Sequence, residues 1–267
     1  MNPTPGCPEL SDEAPLVPVV LVHGAWHSPA IWDPVTELLE DRGHRVSVPN
    51  LPIASTTAGS ADFADVIAAA CDGDDPPVIV CHTTGSLTAL LVPERQPVRQ
   101  FIHVNGLLPK IGMSFSEQTS SDDFEFGEDS GRRYDREARS FWDDRSKFDE
   151  LLAHDCDEPT RVRLWNQLRH QSRKTIREVS PLTSWPDTPT AAILYSNDVD
   201  LPIEWLRRTT LERLKVEPVE LPGSQLGFNA RPRLFVKTLL KLIAAAPVSP
   251  SADRAAAAMK LPQRPAQ

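Results

Sequence analysis

The sequence predicts an α/β fold built on a mainly parallel sheet with helices on both faces. Three observations carry this reading: short unbroken apolar runs rich in β-branched residues, amphipathic stretches between them, and no internal repeat. A strand buried on both faces reads as a continuous apolar run, whereas the helix that crosses back to the next parallel strand places apolar residues three or four apart. Their alternation implies right-handed crossovers and a ligand site at the carboxyl ends of the strands.

The run at 17–22 is the first strand, ending at His23 and Gly24. Ile31, Val35, Leu38 and Leu39 set a helical spacing over 31–41 that Gly43 stops. A short strand at 45–48, a helix at 61–71 and a buried strand at 77–81 follow. The rhythm continues with a helix at 85–92, strands at 101–104 and 190–195, a helix at 203–214, a strand at 216–221 and a closing helix at 232–244. About 107–186 breaks it: this stretch is long, charged and helical in parts, which predicts a helical lid inserted between two core strands.

The chain has 267 residues, enough for one large domain, expected over 17–246. Its 26 prolines against 12 glycines gather partly in the ends, and disordered tails are expected at 1–16 and 247–267, where apolar content is too low to offset ordering entropy. A formal net charge of −9 argues against a nucleic-acid partner. The N-terminus carries Glu9, Asp12 and Glu13 and no apolar stretch, and no run is long enough to span a bilayer, so a cytoplasmic location without a membrane partner is expected. Cys7, Cys71, Cys81 and Cys156 are widely spaced, without a C-x-x-C pair, and read as free thiols rather than metal ligands. Neither a metal nor a cofactor is expected, a small molecule is the expected partner, and oligomeric state is not legible.

The chemistry concentrates at 78–86, where a buried strand runs into a helix through a tight turn reading Cys81-His82-Thr83-Thr84-Gly85. This resembles the G-x-S-x-G nucleophile elbow of the α/β-hydrolase superfamily, with Thr83 in the serine's place. His23-Gly24-Ala25-Trp26, after the first strand, is similar to that family's oxyanion loop. With His27 it looks most like the compact branch of hydroxynitrile lyases, methylesterases and bacterial small-molecule esterases. The segment 141–186, with its runs at 168–172 and 181–186, resembles the lid and return strand of small actinobacterial-style esterases. The resemblance covers roughly 17–243 and implies an α/β-hydrolase fold.

The resemblance also places the acid of the triad at Asp198, after a late strand, and the base at Gln225, where the family's turn carries histidine. A glutamine amide has no pKa near neutrality and cannot take a proton from a hydroxyl. Thr83 is expected at positive φ, where a β-branched residue costs on the order of 1–3 kcal/mol. Losing the base from such a triad costs about a factor of 10⁶ in turnover, so ordinary ester hydrolysis is not expected. The oxyanion hole is backbone N–H, expected from Thr84 and from Ala25 or Trp26, and survives side-chain replacement.

These features imply non-hydrolytic chemistry on a carbonyl-containing substrate, by elimination, decarboxylation, cyclisation or isomerisation, with Asp198 a possible proton acceptor. Two alternatives stay open: an inactive ligand- or partner-binding pseudo-hydrolase, and a slow esterase using Thr83. Cys81 reads as a small packing residue at the strand end, and His23, His82 and His103 as structural. His27, Met113, Phe115 and Trp142 are expected at the substrate pocket, Phe141 and Trp165 could join its roof, and the acidic run 122–129 reads as a solvated loop.

Overall fold

In the computed structural model, which describes residues 15–122, 124 and 131–246, six parallel strands form one sheet in the order β2-β1-β3-β4-β7-β8. They are β1 (Val19–Val22), β2 (Val46–Ser47), β3 (Val78–His82), β4 (Gln100–Val104), β7 (Thr190–Tyr195) and β8 (Val219–Leu221). Side chains alternate across a strand, and the core divides accordingly. Val19, Leu21, Val78, Val80, Ile102 and Val104 point to one face, and Val20, Val22, Ile79, Cys81 and Phe101 to the other. On the first face lie α1 (Asp33–Glu40), α9 (Gly227–Ala230) and α10 (Pro232–Ala245), where the rings of Trp32, in the 3₁₀ turn just before α1, Phe228 and Phe235 pack together beneath the sheet. The second face is covered by α2 (Ser60–Ala69) and α3 (Gly85–Ala89), while Leu206 of α8 (Ile203–Leu214) packs against Leu194 of β7.

Where the element bounds differ from expectation, proline and packing decide. The helix expected over 85–92 ends at Ala89 and resumes as a 3₁₀ turn at Val92–Glu94, which contains Pro93. The strand expected from 216 begins only at Val219, after Pro218, which has no N–H for a ladder. The turn α9 has no periodic signal and was not expected.

Between β4 and β7 the chain runs through an insertion that is not purely helical. It holds α4 (Phe115–Ser121), α5 (Arg145–Leu152), α6 (Glu158–Asn166) and α7 (Lys174–Arg177), together with an antiparallel hairpin of β5 (Arg132–Tyr134) and β6 (Ser140–Trp142). Each strand of that hairpin is three residues long, too short for period-two alternation to show. Ser114, Asp144 and Asp157 cap α4, α5 and α6 through their side-chain oxygens, which satisfies N-terminal N–H groups that would otherwise be orphaned. Cys7, most of the expected tails and most of the acidic run lie outside the described residues. Cys71, Cys81 and Cys156 are free thiols.

Candidate functional site

Strand order reverses at β1: the chain leaves it for β2 on one side and returns to β3 on the other. The crevice outside the carboxyl ends of β1 and β3 is where an open parallel sheet binds ligands. Both suspected motifs lie there, the His-Gly loop after β1 and the elbow after β3. Strain marks the same edge, because Trp26, Thr83 and Asn105, just past β1, β3 and β4, have φ of 62°, 42° and 43°. Non-glycine residues take that region rarely and hold it only when their surroundings enforce it.

The surroundings of Thr83 are visible in its bonds. Its N–H donates to the Val104 carbonyl at 3.1 Å, and its own carbonyl accepts from Ser86 at 3.0 Å and Leu107 at 3.1 Å. Two glycines give the turn room. A methyl on Gly85 would stand 2.9 Å from the His23 carbonyl oxygen, and one on Gly24 would run into Thr83 Oγ1. The Thr83 hydroxyl is thus turned toward the His-Gly loop.

That loop is held from behind. His23 Nε2 accepts from the Leu51 N–H at 3.2 Å, which puts the ring proton on Nδ1, where it donates to the Gly24 carbonyl at 3.0 Å. Arg169, from the insertion, donates through Nε to the His27 carbonyl at 3.1 Å and through Nη1 to Asn50 Oδ1 at 2.8 Å. Its backbone N–H donates to the Trp26 carbonyl at 2.7 Å. Among the described residues, the N–H groups of Ala25, Trp26 and Thr84 donate to no protein acceptor. All three residues line one cavity of about 480 Å³, with the insertion contributing Phe115, Arg132, Tyr134, Ser140 and Arg173 among others to its walls.

The polar groups expected to work with Thr83 are bonded elsewhere. Gln225 Nε2 donates to Asp200 Oδ2 at 3.2 Å, and Arg132 Nη2 donates to the other oxygen of Asp200 at 3.2 Å. Arg132 in turn sits between the Trp26 and Trp142 rings, 5.3 Å from each centroid. Asp198 meets this network only at the Asp200 backbone. Its Oδ2 accepts from Asn105 Nδ2 at 2.6 Å, and its Oδ1 accepts from the backbone N–H of Asp200 and Leu201, both at 2.9 Å. Burial pushes the Asp198 carboxyl up to about 7, against the Leu201 N–H, which favours the charged form. Burial also raises Asp200, and Arg132 opposes that shift. Among the described residues no histidine nitrogen, and not Gln225, hydrogen-bonds Thr83 Oγ1.

Histidines do stand close by, on both sides of the sheet. His82 points to the Trp32 and Phe228 side, and burial pushes its pKa down to about 3, with the Gln225 backbone opposing from beyond normal hydrogen-bond geometry. His27 packs 6.3 Å from the His82 ring, fully buried, with both ring nitrogens unpartnered and its pKa well below the usual histidine value for the same reason. On the opposite face His103 Nδ1 lies 3.2 Å from Cys81 Sγ and 3.0 Å from Ser86 Oγ. This Cys-His pair is inert by burial: the imidazole is pushed down to about 3 and the thiol up to about 12. Among the described residues no group of three His, Cys, Asp or Glu side chains could hold a metal ion.

A family profile described as the Alpha/beta hydrolase family matches residues 19–238. The chain belongs to the α/β-hydrolase family. Solved structures agree on the fold of this α/β hydrolase. Polyneuridine aldehyde esterase superposes with a TM-score of 0.71 at 17% identity, over 85% of this chain and 99% of that one. A pyrethroid hydrolase from Sphingobium faniae JZ-2 gives 0.70 at 20% identity, over 86% and 98%. A histidine-to-alanine variant of tomato methylketone synthase I, complexed with beta-ketoheptanoate, gives 0.70 at 17%, over 85% and 97%. No curated protein sequence matches the chain.

Within this α/β hydrolase, the structure brings Ala25, Trp26, Thr84 and Phe115 to one cavity wall. His27, Met113 and Trp142, expected at the pocket, do not line that cavity. His27 is withdrawn into the core, Trp142 packs on Phe148 and stands behind the lining residues Trp26 and Arg132, and the Met113 backbone is tied to Lys110 and Ser180. Sequence reasoning missed Asp200, Asn105 and Arg132. The resemblance placed the acid at Asp198 and passed over Asp200, a second carboxylate two residues further on. Arg132 lies in a segment with no motif, so its place at the site follows from the hairpin alone. Among the described residues no helix is long and apolar enough to cross a membrane.

Proposed function

We propose that this α/β hydrolase binds a carbonyl-containing small molecule in the 480 Å³ cavity and converts it without hydrolysis. The observation that carries the reading is a pairing of one spent and one unspent set of groups. The Thr83 hydroxyl has no base, since Gln225 is bonded to Asp200, while the N–H groups of Ala25, Trp26 and Thr84 keep their donors free at the cavity wall. Preorganised N–H groups stabilise negative charge on a carbonyl oxygen whether it comes from nucleophilic attack or from an enolate. In decarboxylation the electron pair of the breaking C–C bond passes to that oxygen as carbon dioxide leaves, and the resulting enolate takes its proton from water, so no protein nucleophile or base is needed. Asp198 takes the role of a positioning residue, because its Oδ1 holds the turn that presents Asp200 while its Oδ2 ties that turn to Asn105 after β4. In this reading residues 107–186 serve as a lid. The methylketone synthase likeness gives precedent for a carbonyl acid in such a fold.

The test uses short activated esters and an active-hydroxyl phosphonate probe on the native chain and on Thr83→Ser/Gln225→His. The native chain is expected to hydrolyse no faster than background and to resist labelling, whereas the double variant gains both activities. Labelling of native Thr83 with a burst of released alcohol would overturn the proposal in favour of a threonine esterase. Comparison of small molecules in cells with and without the chain then identifies substrate. Unchanged metabolites, combined with ligand-induced thermal shifts of the purified chain, would establish a binding pseudo-hydrolase, the reading favoured by the burial of its acid and base groups.

A further inference from the structure

The cavity wall carries a charge opposite to that of the protein. The chain has a formal net charge of −9, yet none of the described lining residues is acidic and two are arginines, Arg132 and Arg173. The two differ in what they have left to give. Arg132 already donates to Asp200 at 3.2 Å, with both side chains nearly excluded from solvent. Arg173 has its guanidinium carbon 5.0 Å over the Tyr134 ring and, among the described residues, neither a carboxylate partner nor a side-chain hydrogen bond. A guanidinium held by an aromatic face keeps its N–H donors unspent, and these match the two oxygens of a carboxylate. Hydroxyl groups of Tyr134, Ser116 and Ser172 line the same space.

We propose that the substrate is a carbonyl compound bearing a carboxylate, whose anionic end binds Arg173 beside Tyr134 while its carbonyl oxygen meets the N–H groups of Ala25, Trp26 and Thr84. The placement of the carbonyl rests on the non-hydrolytic reading above; the anionic handle rests on the cavity wall. Tyr134 is 58% exposed, so Arg173 meets the anion on the solvent side of the cavity, where its attraction is screened but still distinguishes a carboxylate from a neutral ester of the same shape. Arg132 stays with Asp200 and shapes the wall.

The experiment measures binding of 7-oxooctanoate and of methyl 7-oxooctanoate to the native full chain by calorimetry, with Arg173→Gln and Arg173→Lys as variants. The acid is expected to bind the native chain roughly tenfold more tightly than its ester, a preference that weakens with added salt. Arg173→Gln is expected to abolish the preference without weakening ester binding, and Arg173→Lys to retain part of it. Equal binding of acid and ester by the native chain, an undiminished preference in Arg173→Gln, or no binding of either probe at millimolar concentration would each overturn the proposal. The readout requires no turnover. Acid preference in a chain that labels at Thr83 would leave this inference standing and remove the non-hydrolytic one, and the reverse pattern would do the opposite.

Discussion

Two groups of polar residues flank Thr83, and they have opposite characters. In front, Gln225, Asp200 and Arg132 form a bonded chain that ties the turn after β8 to the loop after β7 and to the β5 hairpin. Behind, His27 and His82 lie in an aromatic core with ring nitrogens that find no hydrogen bond of normal geometry. The contrast shows that this protein does not lack imidazoles beside its elbow. It places them where desolvation keeps them neutral, while Gln225 is taken up by Asp200, which is itself paired with Arg132.

The largest expected effect breaks the front group. Arg132→Leu leaves Asp200 buried without its cation, and removing one partner of a buried pair costs about 3–5 kcal/mol. Denaturant unfolding at neutral pH is the measurement, with Asp200→Asn in the Arg132→Leu background restoring most of the loss. The sign with pH follows from Asp200, whose folded pKa is raised and, without Arg132, would rise further. The native state then holds a proton that the unfolded state has released, so the variant's deficit shrinks as pH falls. A deficit independent of pH would mean that Arg132 acts only through its packing between Trp26 and Trp142.

A smaller effect probes the rear group. The His82 pKa is lowered from 6.5 to about 3 by burial, so between those values the unfolded chain binds a proton that the native chain refuses. Stability from this residue is complete above pH 6.5 and is lost as pH falls toward 3. His82→Phe keeps a ring among Trp32 and Phe228 and cannot be protonated. Its stability is expected to fall with acid less steeply than the native chain's, by about one proton in the slope over that window. Equal slopes would place His82 in contact with solvent.

The smallest expected effect is none at all. Cys81 is fully buried against His103 and its thiol is pushed up to about 12, so thiol reagents at mildly alkaline pH should leave it unmodified until the chain unfolds. Rapid labelling of Cys81 in the native chain would show that the sheet face opposite His27 and His82 opens, and that burial does not silence this Cys-His pair.

Much was legible in the chain itself. Strands buried on both faces announce themselves as continuous apolar runs, because every position must shed water, and helices announce themselves by spacing. The tight strand-to-helix turn at Thr83 could be read because its geometry tolerates only certain residues: Gly24 and Gly85 are where a methyl would strike Thr83 Oγ1 or the His23 carbonyl. An amide at 225 could be read for the same reason, since its chemistry belongs to the residue and not to its surroundings. Which partner a side chain takes is a different kind of fact. Asp198 and Asp200 are identical in the sequence, yet one organises a turn with Asn105 and the other receives Gln225 and Arg132. Hydrogen bonds and ion pairs form between groups brought within about 3 Å by residues far apart in the chain, and only the packed tertiary structure set those distances here.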